Sequence, residues 1–158
     1  MTRMTVSRRK LFATGACMLA GTVALPQRAS ALSGQHLANE EIVRKYYAAW
    51  ENKDLDTFNA LLADNFTFTS AAGDDHISKS TFKSQCWDTQ VDFIGHSDLE
   101  QISTGEDFAF VKYLCHTKNG KTFRNVEYLR IRGGRLESIE CYFGAQSSFP
   151  SAVSSGQK

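Results

Sequence analysis

The sequence predicts an α+β fold in which three helices pack on one face of a curved antiparallel sheet, and three observations carry that reading. Apolar residues recur at helical spacing between residues 40 and 62. The stretch KTFRNVEYLRIRGGRLESIECYFG, from Lys121 to Gly144, alternates as two strands joined at Gly133-Gly134. Asn119-Gly120, just before it, is the strongest hairpin signal in the chain. Helices first and paired strands afterwards give an α+β layout without internal repeats.

In chain order, Met1 to Lys10 carries Arg3, Arg8, Arg9 and Lys10 with no acid, and an apolar run from Leu11 to Leu25 follows. That run is too short and too rich in Gly and Thr to span a membrane stably, and Ala29-Ser30-Ala31 supplies small residues for cleavage. Residues 1–31 are therefore expected to be an export signal, so the protein is expected to be periplasmic or secreted, with no stable membrane anchor. Ser7-Arg8-Arg9-Lys10-Leu11-Phe12 resembles the twin-arginine motif with its last two residues exchanged; an ordinary secretory signal is the alternative.

Loss of the five basic residues of this segment leaves 13 Lys+Arg against 17 Asp+Glu, a formal charge of −4. A mildly acidic domain without a basic run is a poor partner for nucleic acid. Cys86, Cys115 and Cys141 remain, none with Cys-x-x-Cys spacing. His76, His96 and His116 are dispersed, so neither a metal nor another cofactor is expected.

Residues 32–38 read as a flexible leader. Asn39 can cap a helix from about Glu40 to Glu51, where Ile42, Val43, Tyr46, Tyr47 and Trp50 form an aromatic-rich face. Asp54 caps a second helix whose buried stripe is Leu55, Phe58, Leu61 and Leu62. Phe66 to Thr69 alternates as a strand, and 71–76 is a loop. Ser78 caps a third helix, stapled by Ile77 and Phe82 and ending near Trp87. Strands follow over Leu99–Thr104 and Phe108–Thr117. Residues 39–145 thus form the domain, and the Ser-rich 146–158 is expected to be a disordered tail.

Along the strand after Asn119-Gly120, Phe123, Asn125, Glu127, Leu129 and Ile131 share one side. A carboxylate among apolar neighbours is expensive unless satisfied, so Glu127 belongs to a site or to a buried polar network. Asn125 lies on the same face and can add a polar contact, while Trp87, Ile139, Cys141 and Phe143 can wall a pocket. On the opposite side Arg124, Arg130 and Arg132 alternate with Val126 and Tyr128, a mixture suited to a homodimer interface.

Three segments, EEIVRKYYAAWENKDLDTFNALLADNFTF ending at Phe68, NVEYLRI (Asn125–Ile131) and GRLESIECYFG (Gly134–Gly144), resemble the nuclear transport factor two superfamily, in its SnoaL-like and ketosteroid isomerase-like branch. The resemblance implies a cystatin-like cone with an apolar pocket at its open end, and in many members a dimer through the outer sheet face. It also implies that Tyr46 and Glu127 stand where isomerases place an oxyanion-binding pair, and that the proton-moving aspartate falls at or beside Ser70. Serine is no base at neutral pH; Asp74, Asp75 or His76 is the alternative. The expected function is binding of a small, mostly apolar organic ligand as a carrier or sensor, or isomerase, lyase or hydrolase chemistry with Tyr46 and Glu127 polarising a substrate oxygen.

Overall fold

A computed structural model of the chain describes residues 25–143, with side chains from residue 31 onward. The element order is α1 (Leu25–Asn52), α2 (Leu55–Leu61), β1 (Leu62–Ser70), β2 (Ile77–Ser78), a helical rod over 79–90, β3 (Ile94–Thr104), β4 (Phe108–Thr117), β5 (Thr122–Arg132) and β6 (Arg135–Phe143). The rod comprises α3 (Lys79–Phe82), a π-helical turn (Lys83–Trp87) and α4 (Asp88–Gln90). All six strands form one sheet in the order β2-β1-β6-β5-β4-β3. Most of the segment expected as an export signal, and the whole of the expected tail, lie outside the described residues. Among the described residues no helix is long and apolar enough to cross a membrane.

The predicted α+β class is observed, with three corrections of detail. The sheet is mixed, because β1 runs parallel to β6 while every other pairing is antiparallel. Residues 32–38, expected as a leader, continue α1. Asn39 is therefore interior to that helix and caps nothing. Its side chain is fully buried and its Nδ2 donates to Gly105 O (2.9 Å) and Glu106 O (3.2 Å), supplying the carbonyls of the β3–β4 turn. Asparagine is favoured at caps because its amide can serve nearby backbone; here a distant buried turn makes the same demand. Gly105 suits that turn, since a Cβ there would run into the Phe108 ring.

The remaining caps form as the sequence indicates. Asp54 accepts from Thr57 N, and Ser78 accepts from Thr81 N. β3 begins at Ile94, earlier than expected, because Gly95-His96-Ser97-Asp98 resembles a turn in composition. Register shifts in β3 lie between Ile94 and His96 and between Leu99 and Gln101, the irregularities that let a strand bend around helices. Gly133 and Gly134 take positive φ (55° and 77°), closing the β5–β6 hairpin where a side chain would be strained.

The core sits between the helices and the concave face of the sheet. Phe58, Phe66 and Phe82 are fully buried, and Trp87 packs 4.2 Å from Phe58 and 4.8 Å from Trp50, centroid to centroid. Burying each such ring contributes about 1.5–3 kcal/mol. Alternation places Ala109, Val111, Tyr113 and Cys115 of β4, and Phe123, Asn125, Glu127, Leu129 and Ile131 of β5, on the concave side. The convex face carries an aromatic strip in which Phe110 is 45% and Tyr142 55% exposed. Arg124 and Lys112 flank the strip, both bound to Glu100 at 2.9 Å.

Asn39→Ala removes two donors from buried carbonyls and is expected to cost about 1–3 kcal/mol. Urea denaturation checks this; the exposed Asn65→Ala should shift the midpoint negligibly.

Candidate functional site

Where the concave face of the sheet leaves the helices, a cavity of about 510 Å³ opens between the 71–76 loop and the 79–90 rod. Its floor is a polar network supplied by three elements. Tyr47 of α1 donates from its hydroxyl to Glu127 Oε2 (2.7 Å) and Tyr113 of β4 donates to Glu127 Oε1 (2.9 Å). Asn125 then donates from Nδ2 to Tyr113 Oη (3.0 Å) and to Cys141 Sγ (3.5 Å). Glu127 is only 6% exposed, yet both of its oxygens are satisfied, which removes most of the penalty of an isolated buried carboxyl.

Burial pushes the Glu127 carboxyl above the ordinary carboxylate range, and hydrogen bonding from Tyr47, Tyr113 and Cys141 works against that shift. Burial, then the neighbouring Glu127, pushes the Tyr46, Tyr47 and Tyr113 phenols well above theirs. Cys86 rises to about 12, through burial first and then the fields of Asp74 and Glu127. The cavity thiols are therefore held protonated, which suits small apolar wall residues and not nucleophiles. Cys86, Cys115 and Cys141 are all free.

The structure distributes the sequence candidates unevenly. Glu127, Asn125 and Phe143 line the cavity, as does Tyr46. The hydroxyl on Glu127, however, comes from the adjacent Tyr47; Tyr46 meets Tyr47 edge to face at 5.4 Å and Trp50 at 6.5 Å. Neighbouring helix positions diverge by about 100°, so only one of the two tyrosines can point along the line to β5. Trp87 and Ile139 are not in the wall. The π-helical turn aims Trp87 into the core and leaves Cys86 toward the cavity, and Ile139 is fully buried in the sheet. Of the three rim groups, Asp74 lines the cavity and accepts from Ser70 Oγ at 2.5 Å, while Asp75 and His76 pair with each other in solvent.

Tyr113 was missed by sequence reasoning. It stands opposite Asn125 because the β4–β5 loop has three residues, with Thr117 N donating to Lys121 O (2.8 Å). Among the described residues, no group of three His, Cys, Asp or Glu has the geometry to hold a metal ion.

A helical layer wrapped by a curled sheet, with an apolar cavity and polar floor at the open end, is the ketosteroid isomerase-like, NTF2-like cone. A SnoaL-like domain model matches residues 43–139, and the chain belongs to that family. It shares the fold of solved structures at low identity. An LEH-like epoxide hydrolase of M. tuberculosis superposes with TM-score 0.59 at 17% identity, covering 75% of this chain and 89% of that one. A candidate ketosteroid isomerase of Kribbella flavida gives 0.61 at 12% identity, covering 78% and 90%. An NTF2-like protein of unknown function from Cytophaga hutchinsonii gives 0.57 at 17%, covering 67% and 89%. No curated protein matches the chain. These relationships show the fold, and the fold by itself does not choose a function.

Because the folded Glu127 holds its proton above its ordinary value of 4.5, the stability this confers is complete below that pH and is lost as pH rises through the folded value. Thermal melts from about pH 4 to about pH 8 should therefore show the wild type losing ground to Glu127→Gln as pH rises. A difference independent of pH would contradict burial as the dominant influence.

Proposed function

We propose that this is an exported protein that binds one small, mostly apolar organic molecule in the cone, as a carrier or sensor. The observation that carries the reading is the cavity itself. It is open, of ligand size, walled mainly by aromatic and other apolar side chains, and floored by polar groups whose positions are locked by mutual hydrogen bonds. Export rests on the basic and apolar N-terminus with its small-residue cleavage site. Assembly as a homodimer rests on the convex face, where Phe110, Tyr128 and Tyr142 are flanked by charges of both signs, an arrangement that can meet its own copy.

Native mass spectrometry of the protein purified from its exporting host, without stringent washing, tests the three elements together. The expected spectrum is a dimer of chains beginning at Leu32, each with a retained small molecule. Full-length monomers with nothing bound, and no binding of small apolar compounds on titration, would overturn the reading.

One observation favours a second reading as an isomerase, lyase or hydrolase. Asp74 lines the same cavity as Glu127, so a proton acceptor and a protonatable acid share one enclosed space. In this reading Asp74 takes a proton from carbon while Glu127, with Tyr46 at its side, polarises the substrate oxygen. Deuterium exchange into a cyclic ketone, followed by NMR, should then be catalysed by the wild type and fall roughly 10²–10⁴-fold in Asp74→Asn. Exchange no faster than buffer would exclude this chemistry for ketones.

A further inference from the structure

We infer that the ligand of this cavity is an organic cation, an amine or quaternary ammonium carrying an apolar body. The inference rests on the small-molecule reading above and specifies the class of molecule bound. Its first support is charge. Among the described residues lining the cavity there are two carboxyl groups, Glu127 and Asp74, and no lysine, arginine or histidine. A carboxylate or phosphate would enter beside two acids with no counter-charge in a space of low polarity, where like charges repel strongly.

The second support is the inventory of donors. The donors that meet the Glu127 carboxyl are committed to the floor itself and are not free for a ligand. The Tyr47 and Tyr113 hydroxyls are spent on Glu127, and the Asn125 amide on Tyr113 and Cys141. Once Glu127 is ionised, what remains in excess is acceptor capacity, because each of its oxygens has a further lone pair. A protonated amine supplies what such a floor lacks.

The third support is the arrangement of rings. Tyr46 and Tyr47 meet edge to face at 5.4 Å, Tyr47 and Tyr113 at 5.0 Å, and Tyr46 and Trp50 at 6.5 Å, so consecutive rings turn their planes through 62–82° around Glu127. All four rings line the cavity, and an aromatic wall of this kind attracts alkylammonium groups wherever a ring face meets the ligand. The rest of the wall, Phe68, Phe82 and Phe123 among it, suits an apolar body.

Cation binding is coupled to the proton on Glu127. The groups facing that carboxyl are Tyr46 and Tyr47 from α1, Tyr113 and Cys115 from β4, Asn125 beside it on β5 and Cys141 from β6, with Cys86 and Asp74 at the mouth; none carries positive charge. A bound cation favours the ionised carboxylate and the empty cavity favours the neutral acid, so cation affinity rises with pH through the folded Glu127 titration and then levels off.

The test compares benzyltrimethylammonium with its neutral isostere neopentylbenzene, by calorimetry and by fluorescence of Trp50 in the cavity wall. The quaternary probe cannot lose its charge, so its pH dependence reports the protein alone. We expect the cation to bind at least about tenfold tighter than the isostere, through Coulombic and cation–π attraction. Glu127→Gln should reduce that preference, leaving what Asp74 and the rings supply, and remove the pH dependence that Glu127 contributes. Equal or tighter binding of neopentylbenzene would overturn the cationic class and leave small-molecule binding standing; binding of neither would overturn both. If Glu127→Gln does not fold, the wild-type comparison decides alone.

Discussion

The structure depends on one buried carboxyl. Glu127 lies on the concave face of β5, where nothing around it offers a positive charge, and two phenolic hydroxyls make it tolerable there. One phenol comes from α1 and the other from β4, so the same pair of hydrogen bonds ties the long helix to the middle of the sheet. Removing either donor would leave a buried oxygen unpaired, a loss of about 1–3 kcal/mol. The two bonds therefore set how α1 is rotated against the sheet.

That rotation decides what the cavity contains. With Tyr47 committed to Glu127, Tyr46 and Trp50 face the open space, and Phe58 and Trp87 close the core beneath. The π-helical turn over Lys83–Trp87 serves the same division, since one extra residue in a turn changes the direction of those after it. Asn39, in the middle of α1, holds the helix to the β3–β4 turn through two backbone carbonyls. The helix is thus fixed at its middle and near its C-terminus by polar groups buried away from water, and the aromatic packing fills the space between them.

Much of this was legible in the chain. Alternation around Gly133-Gly134 placed Asn125 and Glu127 on one inward face, and the caps at Asp54 and Ser78 announced their helices. Phe143 lines the cavity whereas Trp87 and Ile139 pack in the core, a division invisible in sequence because apolar residues of core and pocket have the same character. The aromatic face of α1 was equally clear, although which of two adjacent tyrosines meets the carboxyl depends on helix rotation, about which periodicity is silent. The parallel pairing of β1 with β6 joins segments some seventy residues apart, and no local pattern records it.

The β4–β5 loop shows where the boundary lies. A two-residue loop at Asn119-Gly120 would set Tyr113 opposite Val126 and turn its ring to the convex face. The observed three-residue loop, with Gly120 at positive φ, sets it opposite Asn125 and sends its hydroxyl to Glu127. Sequence by itself determined the α+β class, the helix-then-strand order, the turn glycines and the presence of a carboxyl on an inward face, because these follow from spacing and local backbone preference. Tertiary structure alone decided the partners of that carboxyl, the wall of the cavity and the balance of donors and charges within it, because each depends on register and rotation between elements distant in the chain.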